Sequence, residues 1–86
     1  MTYDYRAERA RVFTEDGQIM FLAIRDKVQS LTNTAGACTV TKAIAGQSGD
    51  TWQMLACIDR LAELGEITII KNPNGMTQHN LIMRAV

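Results

Sequence analysis

The side chains of this 86-residue chain that can do chemistry are few and scattered. Cys38, Cys57 and His79 are the metal-ligating and nucleophilic types, but they fall in separate stretches without CxxC or paired-histidine spacing. A zinc knuckle and a redox pair are therefore disfavoured, and the cysteines read as small buried hydrophobes. No Ser-His-Asp or Cys-His order stands in a suitable setting, and there is no glycine-rich phosphate loop. The chain reads as a non-enzyme that needs no metal or cofactor. What remains is recognition chemistry. The Gln53 amide can make paired hydrogen bonds to adenine, Thr51 can meet a phosphate or a thymine methyl, and Lys42 and Lys71 carry point charges suited to phosphates. Trp52 is either a core anchor or an exposed contact, and each use of tryptophan has a physical basis.

Those residues need elements to position them. Thr14 followed by Glu15 and Asp16 is a helix-start signal, with a capping hydroxyl and two acids at the positive end of the dipole. Phe21, Ile24, Val28 and Leu31 then recur at steps of three and four, which predicts an amphipathic helix with one wet face. Thr32 to Gly36 reads as the loop that ends it. Ala37 and Cys38 read as a very short strand. Thr39 caps a short helix reaching about Ala45, and Gly46 stops it. Asp50 caps the next helix, where Gln53 can return the bond in a capping box. Met54, Ile58 and Leu61 line the inner face of that helix, and Gly65 ends it. Glu66 to Lys71 reads as a strand, Asn72-Pro73-Asn74-Gly75 as a turn, and Thr77 to Met83 as the returning strand.

The fold class is thus α+β: three core helices, a C-terminal hairpin, and an extra helix or arm at the N-terminus. Residues 1–13 form that arm and 14–86 the main domain. In the arm, Tyr5, Arg9 and Val12 share a side at helical spacing. Arg6, Arg9 and Arg11 are the one local basic cluster, readable as a solvated helix face or as an arm reaching a nucleic acid.

Composition narrows the partners. Nine basic and nine acidic residues give zero net charge, so the broad positive field of an avid nucleic-acid binder is missing. A chain this small builds one modest core, and a dimer would help it. Met1 to Arg11 is polar and charged, unlike a signal peptide, and no apolar run approaches the ~20 residues that span a bilayer. These features lead to the expectation of a cytoplasmic protein without a membrane partner.

The run Asp59-Arg60-Leu61-Ala62-Glu63-Leu64-Gly65-Glu66-Ile67, placed within Phe21 to Met83, resembles the end of the recognition helix and the entry to the wing in winged helix-turn-helix regulators of bacteria and phages. The resemblance implies a small transcriptional regulator that binds double-stranded DNA as a homodimer, with its second helix in the major groove. It also implies the contact residues: Thr51, Trp52, Gln53, Leu55 and Ala56 on the helix, with Lys42, Gln47 and Ser48 nearby. Lys71, Asn72 and Asn74 would come from the wing, with Gln78 and His79 as further candidates. Against this stands the outward face of that helix. At about 100° per residue Trp52, Ala56, Asp59 and Glu63 share it, so it is acidic and apolar, and phosphates would be repelled. The alternative is a protein-interaction or dimerisation module of the same fold that does not touch DNA.

Overall fold

In the computed structural model, residues 2–73 and 75–85 are described. The chain opens with a four-residue helix, α1 (Tyr5–Glu8), capped by Asp4, and runs on through a 3₁₀ turn, Arg9–Phe13. Helix α2 (Glu15–Ala35) starts where expected, with the Thr14 hydroxyl oxygen accepting from the Gly17 amide at 3.0 Å. It runs a full turn longer than the spacing of its apolar residues suggests. Thr32 lies buried on the inner face and its hydroxyl donates to the Val28 carbonyl at 2.8 Å, so this polar side chain needs no loop partner. Gly36, at φ 82°, then ends the helix in the left-handed conformation that glycine tolerates best.

Strand β1 (Ala37–Thr39) leads into α3 (Val40–Ile44), and α4 (Thr51–Glu63) follows after a short connection. The Asp50 carboxylate caps α4 by accepting from the amides of Trp52 and Gln53 at 2.7 and 3.3 Å. At its other end the Glu66 amide donates to Leu61 and the Gly65 amide to Ala62, the paired bonds of a glycine-terminated helix. Strand β2 (Ile67–Ile70) and strand β3 (Leu81–Arg84) complete an antiparallel sheet of order β1-β3-β2. The returning strand is shorter than expected: Thr77–His79 is a 3₁₀ turn, and pairing begins only at Leu81.

The register places Cys38, Ile82 and Ile69 side by side on the inner face and Thr39, Leu81 and Ile70 on the outer one. Against the inner face pack Phe21, Ile24 and Val28 of α2 with Met54, Ile58 and Leu61 of α4, joined by Val40, Ala43 and Val12. The result is an α+β domain compatible with a winged helix. No helix among the described residues is long and apolar enough to cross a membrane.

Two substitutions probe this packing. Ile58→Ala removes a buried side chain from the centre of α4 and is expected to cost about 2–5 kcal/mol in denaturant unfolding. Gly17 is informative for another reason. A Cβ there would overlap the Arg11 carbonyl oxygen and lie 2.8 Å from that of Val12. Gly17→Ala is therefore expected to lower the melting temperature, although alanine ordinarily favours a helix interior by roughly 0.8–1 kcal/mol. A rise would show that the N-terminal turn does not sit against α2.

Candidate functional site

Five consecutive residues of α4, Met54 to Ile58, are buried, and Leu61 joins them. Successive side chains turn by about 100°, so five in a row sweep more than a full circle, and no single neighbour can cover them. One side meets α2, where the Cys57 thiol lies 3.9 Å from the Gly17 carbonyl. The opposite side, expected to face outward, meets the N-terminal segment.

That contact is specific. The Tyr3 hydroxyl donates to Asp59 Oδ2 at 2.5 Å and the Tyr5 hydroxyl to Glu63 Oε1 at 2.9 Å. Arg9 Nε donates to both oxygens of Glu63 at 3.0 and 3.1 Å, while Arg60 Nη1 reaches Oε1 at 2.7 Å. At the other end of α4, Arg11 Nη2 lies 3.2 Å from Asp50 Oδ2, and Gln53 Nε2 donates to the Arg11 carbonyl at 3.1 Å. Between these points the Phe13 ring is flanked by the guanidinium groups of Arg9 and Arg60, each 5.0 Å from its centroid.

The expected DNA-facing residues are dispersed by this arrangement. Leu55 and Ala56 are core residues, and Ala56 has no exposed surface. Trp52 is half-buried and packs against the core, so of its two readings the anchor describes it better. Gln53 donates a side-chain amide N–H to the Arg11 carbonyl, which ties it to the N-terminal segment and points that donor away from solvent. Thr51 and Ser48 are exposed, and Gln47 is half-buried beside Met20 in a cleft between α2 and the α3–α4 connection. Lys42 is exposed on α3, and α3 is tied to the β2–β3 connection by the Thr41 hydroxyl, which donates to the Gln78 carbonyl at 2.7 Å. Lys71 is exposed, and Asn72 is half-buried with its amide donating to Asn80 Oδ1 at 2.8 Å. Asn74 lies outside the described residues. His79 is exposed.

Tyr3 carries no signal of its own in the sequence, and Tyr5 and Arg9, which share a side of the arm by spacing, turn that side to α4. The available signal was the complementarity between Asp59 and Glu63 on one helix face and the arginines of residues 6–11. Nothing local indicates that the two meet, since the pairs that form, Tyr3 with Asp59 and Arg9 with Glu63, are 56 and 54 positions apart.

The contact also shifts the titrating groups. Arg60 above all, then Tyr5 and Arg9, hold the Glu63 carboxyl below its ordinary range. The Trp52 amide, then Arg11, do the same for Asp50. Burial pushes Asp59 up, against the opposing pull of the Tyr3 hydroxyl and Lys71. Burial raises the Cys57 thiol to about 11, so it is protonated and unreactive at neutral pH.

Comparison with known proteins finds no family model, no curated protein and no solved structure that matches this chain.

Asp50 and Asp59 make opposite demands on pH. A depressed carboxyl adds stability above its unfolded value and loses it as pH falls through the folded value. A raised one costs stability once pH rises past its unfolded value. In thermal melts, Asp50→Asn is expected to fall below wild type at about pH 7, the gap closing toward about pH 3. Asp59→Asn is expected to gain on wild type over the same rise in pH. Parallel curves for the two variants would contradict the assigned environments.

Proposed function

We propose that this chain is a winged-helix protein-interaction module and that α4 is its central strut, not a groove reader. The order of elements, helix, strand, two helices and a strand pair, with β1 closing the sheet against β3, supports the winged-helix assignment. The observation that carries the functional reading is the enclosure of α4. The helix that would enter a major groove is buried on one side and covered on the other by Tyr3–Phe13, and the groups it carries outward are Asp59, Arg60 and Glu63. Uncovering that side would present net negative charge to phosphates.

The surface available for association is the outer face of the sheet. Ile70, Leu81 and Met83 are exposed there beside Ala37, Thr39 and Thr68, and none of these six is charged. A three-stranded face this short covers less than the roughly 800 Å² per partner of a stable interface, which argues for weak, reversible dimerisation.

Sedimentation across a wide concentration range tests the reading. The wild type is expected to dimerise at high concentration, and Ile70→Lys with Met83→Lys is expected to remain folded and monomeric. A wild type that stays monomeric while binding one selected DNA sequence would overturn it.

The second reading is DNA binding through α3 and the β2–β3 connection. It is favoured by Lys42 and Lys71, which are exposed on that side and, like Arg6, Lys27 and Arg84, form no ion pair within 4 Å among the described residues. It requires that Lys42→Ala with Lys71→Ala abolish binding to a labelled duplex at low salt. Only two phosphate contacts would be lost, so the salt dependence of that binding would be shallow.

A further inference from the structure

We infer that residues Tyr3–Arg11 are a releasable strap: an autoinhibitory contact that occupies the Trp52–Glu63 side of α4 and competes there with a basic, tyrosine-bearing segment of a protein partner. The inference rests on the interaction-module reading and adds to it a second, concealed surface. Three features of the strap argue for release.

Part of its hold is made of groups that water already reaches, alongside the part-buried Tyr3–Asp59 bond and the Tyr3 and Tyr5 rings that pack on the core. The Arg9 and Glu63 side chains are 44 and 37% exposed, and the Tyr5 bond to the same carboxylate is exposed as well. Exposed pairs of this kind are screened and contribute little net stability.

The strap cannot sustain its own structure. α1 has four residues, none of them buried, and a single helical turn in isolation is far below the length at which helices persist in water. Its order therefore derives from the face it lies on, and such segments belong to the low-stability end of a fold's opening reactions.

Release has a defined end point. Val12 is fully buried in the common core, its carbonyl accepts from Gln18 Nε2 at 2.7 Å, and Thr14 caps α2. Opening thus stops at the Arg11 carbonyl, which the Thr14 hydroxyl and Gln53 hold, and leaves Val12 and the α2 and sheet walls in place while uncovering one side of α4. What it uncovers is the side of α4 that carries Asp59 and Glu63 at one end and meets Asp50 at the other, a side that helical spacing at about 100° per residue shares with Trp52 and Ala56. The strap's own contacts define what fits: two tyrosine hydroxyls and two guanidinium groups spread over nine residues, from the extended Tyr3 through α1 to the 3₁₀ turn.

The test uses the full chain with strap-only substitutions, Tyr3→Phe, Tyr5→Phe and Arg9→Ala, which leave α4 untouched. Hydrogen exchange is expected to accelerate by about tenfold in peptides covering residues 3–11, with α2 and α4 unchanged. Arg9→Ala alone, which truncates one half-exposed side chain, is expected to give the same pattern at smaller amplitude. A synthetic peptide of residues 2–11 should bind the triple variant saturably, returning Trp52 emission to its wild-type position, and adding Glu63→Gln should weaken that binding. Unchanged exchange in the strap, exchange that rises equally in α2 and α4, or a peptide that fails to bind the folded triple variant would each overturn the inference. Because none of these readouts involves the sheet face, failure of the dimerisation test and failure of the strap test are separable.

Discussion

The enclosure of α4 is the constraint on which the other elements depend. A helix buried from Met54 through Ile58 has no side left over for solvent at that level, so it needs neighbours around its whole circumference. α2 supplies one wall, α3 and the sheet supply more, and the N-terminal segment closes the remainder. Gly17 shows how tightly these walls meet. The backbone of the Arg11–Val12 turn lies where a side chain would otherwise stand, so the first turn of α2 and the N-terminal segment approach as bare backbones. The Cys57 thiol fits beneath the same turn, which is why it is small, buried and inert.

Electrostatics follow from that packing. A chain with zero net charge has no long-range field with which to attract phosphates, and its charges act through local pairing. The carboxylates of α4 and its cap are matched one by one from a distant part of the chain: Asp50 by Arg11, Asp59 by Tyr3, Glu63 by Tyr5 and Arg9. Charges that looked unsuitable for a groove-reading helix are thus suited to holding an arginine- and tyrosine-bearing segment. The contact is also asymmetric in burial, with Asp59 drawn partly inside and Asp50 and Glu63 left at the rim.

The hairpin region carries a related lesson. Asn72-Pro73-Asn74-Gly75 has the chemistry of a tight turn, and the Gly75 amide does donate to the Asn72 carbonyl at 2.9 Å. The strands nevertheless do not pair directly from that turn. Thr77–His79 coils once more before β3 begins, and this extra turn packs on α3 through Thr41. Turn residues specify where a chain can reverse, while the start of pairing depends on which neighbour takes up the intervening residues.

Much of the architecture is legible in the sequence because it is written within four residues of where it acts. Thr14, Thr39 and Asp50 bond amides two or three positions on, Gly36 and Gly65 close helices through bonds of similar reach, and the apolar spacing of Phe21, Ile24 and Val28 declares an inner face. The candidate surface is a different matter. Whether Gln53, Asp59 and Glu63 faced water, DNA or protein turned on Tyr3–Phe13, whose hydrogen bonds to α4 join residues 42 to 58 positions apart. Local propensity and capping set the elements and their ends, because those bonds form between near neighbours. Only tertiary structure decided which face of α4 was covered, because burial is settled by the packing of segments that sequence spacing alone does not bring together.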